Sequence, residues 1–262
     1  MTTAAIESKL SRLSLKIDGS VARIELCHPP LNVIDIPMMD ELGQILAELE
    51  AQTGVSVIRI GGQGRSFSAG VDVAAHTREK VEEMLAKFHG VIRALVATKK
   101  VTVAAVHGHC LGGGAELAMV CDMAYTTEAA QWGFPEIKLG CYPPVACTAL
   151  AALVGPKRAA DLILSGRTVD GRTAAEIGLA TSATGEAELG AAVDQCIANL
   201  LTLSRAALAI AKKASYAWDC MHFDKGLARA EKIYFEDLMK TADAQEGISA
   251  FREKRSPKWQ GR

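Results

Sequence analysis

Apolar and polar residues alternate through Leu13–Ile17, pause at Asp18-Gly19, and alternate again through Val21–Leu26. Asp-Gly between two alternating runs predicts a β-hairpin. His28-Pro29-Pro30 stops the second strand, and residues 37–51 then carry apolar side chains at helical spacing, with Pro37 in the first turn. Val55–Ile60 reads as a buried strand and is followed by the glycine-rich stretch GGQGRSFSAG at 61–70. The cycle recurs: an amphipathic helix over 79–97, a short apolar strand over 101–106, a second glycine-rich loop over 107–114, a helix over 115–120 and a strand over 123–127. Such a succession predicts an α/β core. From about Pro143 the pattern turns helical, at 145–154, 156–164, 173–178 and 186–203, and the stretch 205–251 predicts three more amphipathic segments. The change near residue 200 divides the expectation into a core of residues 1–200 and a helical region of residues 201–262.

Composition narrows the class. Of 262 residues, 29 are basic and 30 acidic, and the net charge of −1 argues against a nucleic-acid coat or a membrane-surface protein. Seven cysteines without a C-x-x-C pair point to reduced thiols. The first twenty residues carry no apolar signal core, and no apolar run approaches the ~20 residues that span a bilayer. The expectation is a cytoplasmic protein with no nucleic-acid or membrane partner.

Both glycine-rich loops follow a buried strand. Glycines there let backbone N–H groups face a ligand, and serve equally well for tight turns. The second loop runs into a helix whose N-terminus adds positive potential. Two such N–H groups aimed at one point would make an oxyanion hole. A G-K-[S/T] ending, a dinucleotide fingerprint and a G-x-S-x-G elbow are all missing. His107 and His109 lack a third ligand at metal spacing, so no metal is expected.

Glu116 sits in the first turn of an otherwise apolar helix, immediately after Gly112-Gly113-Gly114-Ala115. A carboxylate there is either a complement to the helix dipole or a working group. Glu136 follows Pro135 in WGFPEIKLG, and by itself reads as an ordinary loop charge. Two acids beside glycine-built N–H donors would together suit general acid/base chemistry next to an oxyanion.

At these residues the chain resembles the crotonase, or enoyl-CoA hydratase/isomerase, superfamily. The likeness rests on PPLNVID (29–35), FSAGVD (67–72), VHGHCLGGGAELAMVCDMAY (106–125), WGFPEIKLG (132–140), GPKRAADLILSGRTVDGRTAAEIGLA (155–180) and FREKRSPKW (251–259). It implies a ββα spiral core with a helical C-terminal trimerisation region, assembling as a homotrimer or homohexamer. It further implies an acyl-CoA thioester substrate and no cofactor beyond the coenzyme A of that substrate. The thioester oxygen would be held by the backbone N–H groups of Val71 and Gly113. Glu116 and Glu136 would hold a water between them, with Ala69, Asp72, Gly112, Tyr142 and Pro143 around the substrate. Two departures stand out. Val73-Ala74-Ala75 replaces the family's basic residue near the CoA phosphates, which leaves Lys254, Arg255 and Lys258 either as substitutes or as a solvated tail. Cys141–Cys147 replaces a glycine-rich segment. The run LGCYPPVA at 139–146 and the early PPLNV resemble cyclic-dienoyl-CoA hydratases, which act on cyclohexa-1,5-diene-1-carbonyl-CoA. Straight-chain hydratases, enoyl-CoA isomerases and a non-catalytic CoA-binding scaffold are the alternatives. Retention of both acids favours a hydratase.

Overall fold

The computed structural model describes residues 6–77 and 79–260. Strands β1 (Ile6–Lys9), β2 (Leu13–Asp18) and β3 (Val21–Leu26) form an antiparallel meander, with β2 and β3 joined at the expected turn. Helix α1 (Ile36–Ala51) begins at Asp35, whose carboxylate accepts the Met38 N–H at 3.0 Å. Strand β4 (Val57–Gly62), helix α2 (Val81–Ala97) and strand β5 (Val101–Val106) follow. Then come β6 (His109–Leu111), α3 (Gly113–Met119), β7 (Met123–Thr127) and β8 (Gln131–Gly133). Beyond a 3-10 turn at Pro135–Leu139 lie α4 (Pro144–Val154), α5 (Pro156–Ser165), β9 (Thr168–Asp170), α6 (Gly171–Glu176) and β10 (Ser182–Thr184). Helices α7 (Leu189–Leu201), α8 (Arg205–Glu236) and α9 (Ala242–Arg252) complete the chain.

The large sheet has the order β1-β2-β3-β4-β5-β7-β10, parallel from β3 onward, and β6-β8-β9 form a second, smaller sheet. All six residues of β5 are buried because both faces of the parallel sheet are covered. Alternate side chains divide between two cores. Ile24, Ile58, Ile60, Ala104 and Val106 join α1 and α2. Val21, Val57, Val101, Val103 and Ala105 meet Val193 and Ile197 of α7.

The stretch 205–251 forms one long helix, a short turn and a second helix rather than three segments. Polar contacts pin α8 along its length. Arg205 reaches the Thr53 carbonyl at 2.8 Å, and Lys212 pairs with Asp122 at 2.8 Å. Further on, Asp224 and Glu231 bind Arg93 of α2, and Glu231 Oε1 lies 2.7 Å from Nδ1 of the fully buried His89. No single helix among the described residues is long and apolar enough to cross a membrane.

Candidate active site

Residues 31–34 and 69–72 run side by side and exchange backbone hydrogen bonds. Ala69 N–H donates to the Leu31 carbonyl at 2.9 Å, Ile34 N–H to the Gly70 carbonyl at 2.9 Å, and Asp72 N–H to the Ile34 carbonyl at 3.1 Å. The parallel pairing of Ile34 with Val71 leaves the Val71 N–H outside this ladder, with no protein acceptor among the described residues. Gly113 opens α3, so its N–H has no acceptor within the helix either. The two segments touch. A methyl group added at Gly113 would lie 3.4 Å from Val71 N, and one added at Gly70 would lie 3.6 Å from Gly113 N.

Gly112 brings the second loop into this contact. Its φ of 51° and ψ of −128° suit glycine alone, and a Cβ there would sit 2.6 Å from Glu136 Oε1. The Glu136 carboxyl therefore lies over Gly112, beside the first N–H of α3. Glu136 rides on the 3-10 turn, and its Oε2 is buried with no hydrogen-bond partner in the protein.

Glu116, 3 % exposed, has a different environment. Its Oε1 accepts the Val145 N–H at 2.9 Å and the Ala146 N–H at 3.0 Å. These are free donors of the first turn of α4, which starts at Pro143-Pro144 and has no side-chain cap of its own. The acid of α3 thus serves as the missing cap of α4. Burial pushes the Glu116 carboxyl up to about 7 despite those two donors. Burial, and then the charge of Glu116, hold Glu136 well above the usual carboxylate range. Each carboxylate charge raises the other acid, and Glu116, with the two N–H donors of α4, is the better supported anion.

Comparison with known proteins gives the arrangement a family. The family model for enoyl-CoA hydratase/isomerase matches residues 16–262. The chain belongs to the enoyl-CoA hydratase/isomerase family, within the crotonase superfamily. It is 33 % identical over 248 residues to the cyclohexa-1,5-dienecarbonyl-CoA hydratase of Thauera aromatica, covering 95 % of this chain and 96 % of the relative. It is 34 % identical over 258 residues to a probable enoyl-CoA hydratase of Bacillus subtilis, covering 96 % of this chain and all of that one (100 %). Among solved structures, an enoyl-CoA hydratase from Mycobacterium avium subsp. paratuberculosis superposes with a TM-score of 0.87 at 28 % identity, covering 96 % of this chain and 100 % of that one. The crotonase-like α/β fold and the hydratase type of enzyme follow from this membership.

Within the hydratase/isomerase frame, the other expected residues separate. Ala69 lies two residues before Val71 and Asp72 directly after it, and the Asp72 carboxylate accepts the Ala74 N–H at 2.9 Å, capping a short 3-10 turn. Pro143 is buried as the residue before α4. Tyr142 turns its hydroxyl to α8, donating to the Ala230 carbonyl at 2.6 Å. It borders a groove of about 860 Å³ between α4, α5 and α8 that is lined mostly by apolar side chains. Of the basic tail, Arg255 is committed to Glu246 at 2.9 Å and to Glu253 at 2.6 Å, while Lys254 and Lys258 are exposed.

Sequence reasoning missed the Val145 and Ala146 amides. They lie 29 and 30 residues beyond Glu116, and only the fold brings them back. It also passed over Asn32 and Ser68, both fully buried, though each stands inside a motif that carries the family likeness.

Proposed function

We propose that the protein adds water to the double bond of an enoyl-CoA, or removes it in the reverse direction, using Glu116 and Glu136 beside the Val71 and Gly113 N–H groups. The observation that carries this reading is the pair of buried carboxyls in unequal surroundings. One is supported by two N–H donors, and the other lies over Gly112 with an oxygen that has no partner.

The thioester oxygen accepts hydrogen bonds from Val71 and Gly113. Glu116, the better stabilised anion, takes a proton from the water as its oxygen bonds to the β-carbon. Electron density moves through the α-carbon onto the thioester oxygen, where the two N–H groups hold it; one such donor is worth roughly 3–4 kcal/mol of barrier. Glu136 gives its proton to the α-carbon, the carbonyl is restored, and the proton taken up by Glu116 passes back to Glu136 before the next turnover. No cofactor takes part beyond the coenzyme A of the substrate.

As the acyl group we favour a cyclic dienoyl thioester such as cyclohexa-1,5-diene-1-carbonyl-CoA. Support comes from the Thauera relative and from LGCYPPVA at 139–146. Cytoplasmic residence fits six free thiols among the described cysteines. A homotrimer or homohexamer fits the exposed Leu153, Leu164 and Ile233 around the groove.

The test is turnover of matched cyclic and linear enoyl-CoA thioesters, followed by mass spectrometry. Gain of one water, with the cyclic diene giving the highest kcat/KM, is the expected result. A higher kcat/KM on linear substrates would replace the acyl assignment and keep the reaction. A shifted double bond without mass change would make the protein an isomerase, and binding without turnover would make it a scaffold.

A further inference from the structure

Ser68 stands where the two glycine-rich loops cross, and all its polar groups are engaged. Its N–H donates to the His109 carbonyl at 2.9 Å, and its carbonyl accepts the Leu111 N–H at 3.0 Å. Its hydroxyl donates to the Asn32 carbonyl at 2.7 Å and accepts the Gly70 N–H at 3.1 Å. The first turn of α3 presses on this side chain, since a Cβ at Gly114 would lie 2.7 Å from Ser68 Cβ.

The acceptor of that hydroxyl is itself immobilised. Asn32 is buried in a left-handed conformation, φ 50°. Its Nδ2 donates to the Ser66 carbonyl at 2.8 Å and to the Gln63 carbonyl at 2.9 Å, and its Oδ1 accepts the His28 N–H at 2.9 Å. A buried side chain with its donors and acceptor all satisfied has one orientation.

The effect on the neighbouring peptides is selective. Ser68 holds the 69–70 peptide through the Gly70 N–H, and Ile34 holds the 70–71 peptide through the Gly70 carbonyl. Gly70, at φ +106°, would otherwise be the freest hinge in the loop. With both flanking peptides held, its torsions are fixed, and the direction of the Val71 N–H is fixed with them.

We infer that the Ser68 hydroxyl, locked by Asn32, is a positioning group for the reaction: by taking the Gly70 N–H it aims the Val71 N–H at the thioester oxygen. The inference rests on the reading of Val71 and Gly113 as the oxyanion pair, and the experiment separates the two. Infrared difference spectra of bound butyryl-CoA, carrying ¹³C at the thioester carbonyl, report how strongly that carbonyl is polarised. Wild-type protein should shift the stretch to lower frequency. Ser68→Ala should lose a large part of that shift and lower kcat by about 10- to 100-fold, with KM changed by less than about 3-fold, because a misaimed donor costs rate rather than binding. Ser68→Cys keeps a polar γ-atom in place, slightly larger and a weaker acceptor, and should move both readouts the same way by less; it decides the matter if the alanine variant does not fold. A fall in kcat with an unchanged carbonyl shift would reduce Ser68 to a packing residue and overturn the inference, as would wild-type kcat in the cysteine variant. An unshifted carbonyl in the wild type would instead remove the oxyanion reading, and the role of Ser68 with it.

Discussion

Replacing Glu116 separates two tasks of one carboxylate. Glu116→Gln retains an oxygen that can accept the Val145 and Ala146 N–H groups, so the fold should hold while turnover falls by about 10²- to 10⁴-fold. Glu116→Ala leaves those donors buried without an acceptor. It should lose the same activity and also about 1–3 kcal/mol of stability, seen as a lower denaturation midpoint. Equal stability of the two variants would refute the capping role. Protonation supplies a second residue-level expectation. Both carboxyls hold their protons to higher pH in the folded chain than in the unfolded one, with Glu116 raised to about 7. Their contribution to stability is therefore complete below the ordinary Glu range and falls as pH rises above it, that of Glu116 being lost through about 7. Glu136→Gln, which has no proton to lose, should gain on the wild type in Tm as pH goes from about 5 to about 8; a constant difference would count against the raised values. Glu116 and the two glycine loops stood out in the sequence because GGGAE and FSAGVD are short-range patterns, whereas Glu136 drew notice only beside them and through the family likeness. The unequal surroundings of the acids were not legible, because the donors to Glu116 belong to α4 and the contact between Glu136 and Gly112 closes only in the folded chain.

Among the elements, the strongly periodic ones were readable and the shortest were not. The hairpin β2–β3, helices α1 and α2, and strands β5 and β7 lie within a few residues of their expected places. Strands β6, β8, β9 and β10 have three residues each, too few for alternation to register. Helix α8 was read as separate segments because much of what holds it is polar: Arg205, Lys212, Asp224 and Glu231 anchor it where a continuous apolar stripe would otherwise do so. Between α8 and α2, Glu231 alone serves both His89 and Arg93, while Asp224 gives Arg93 a second partner. Glu231→Ala removes the His89 Nδ1 partner and leaves Arg93 with Asp224 alone. It should cost about 1–3 kcal/mol and raise hydrogen exchange selectively in the second half of α8. Uniform exchange along the whole chain would argue against a local latch.

At the scale of the molecule, apolar surface remains after the chain has closed on its core. Leu164 is 70 % exposed at the rim of the groove, with Leu153 and Ile233 nearby. Contiguous patches of this kind mark association surfaces. Leu164→Glu should lower the assembly mass measured by sedimentation while the far-ultraviolet dichroism stays that of the native chain; an unchanged mass would place the contact elsewhere. The α/β class and the helical end could be read from periodicity alone, but the groove could not. It is enclosed by α4, α5 and α8, whose approach no local pattern encodes.

Because the acid at 116 also closes the open end of α4, chemistry and architecture are selected together at that position. A descendant of this chain that gave up turnover would be free to discard Glu136, whose outer oxygen has no structural duty. It would still need an acceptor at 116. Inactive lineages of this protein should accordingly erode one acid first and keep Glu or Gln at the other.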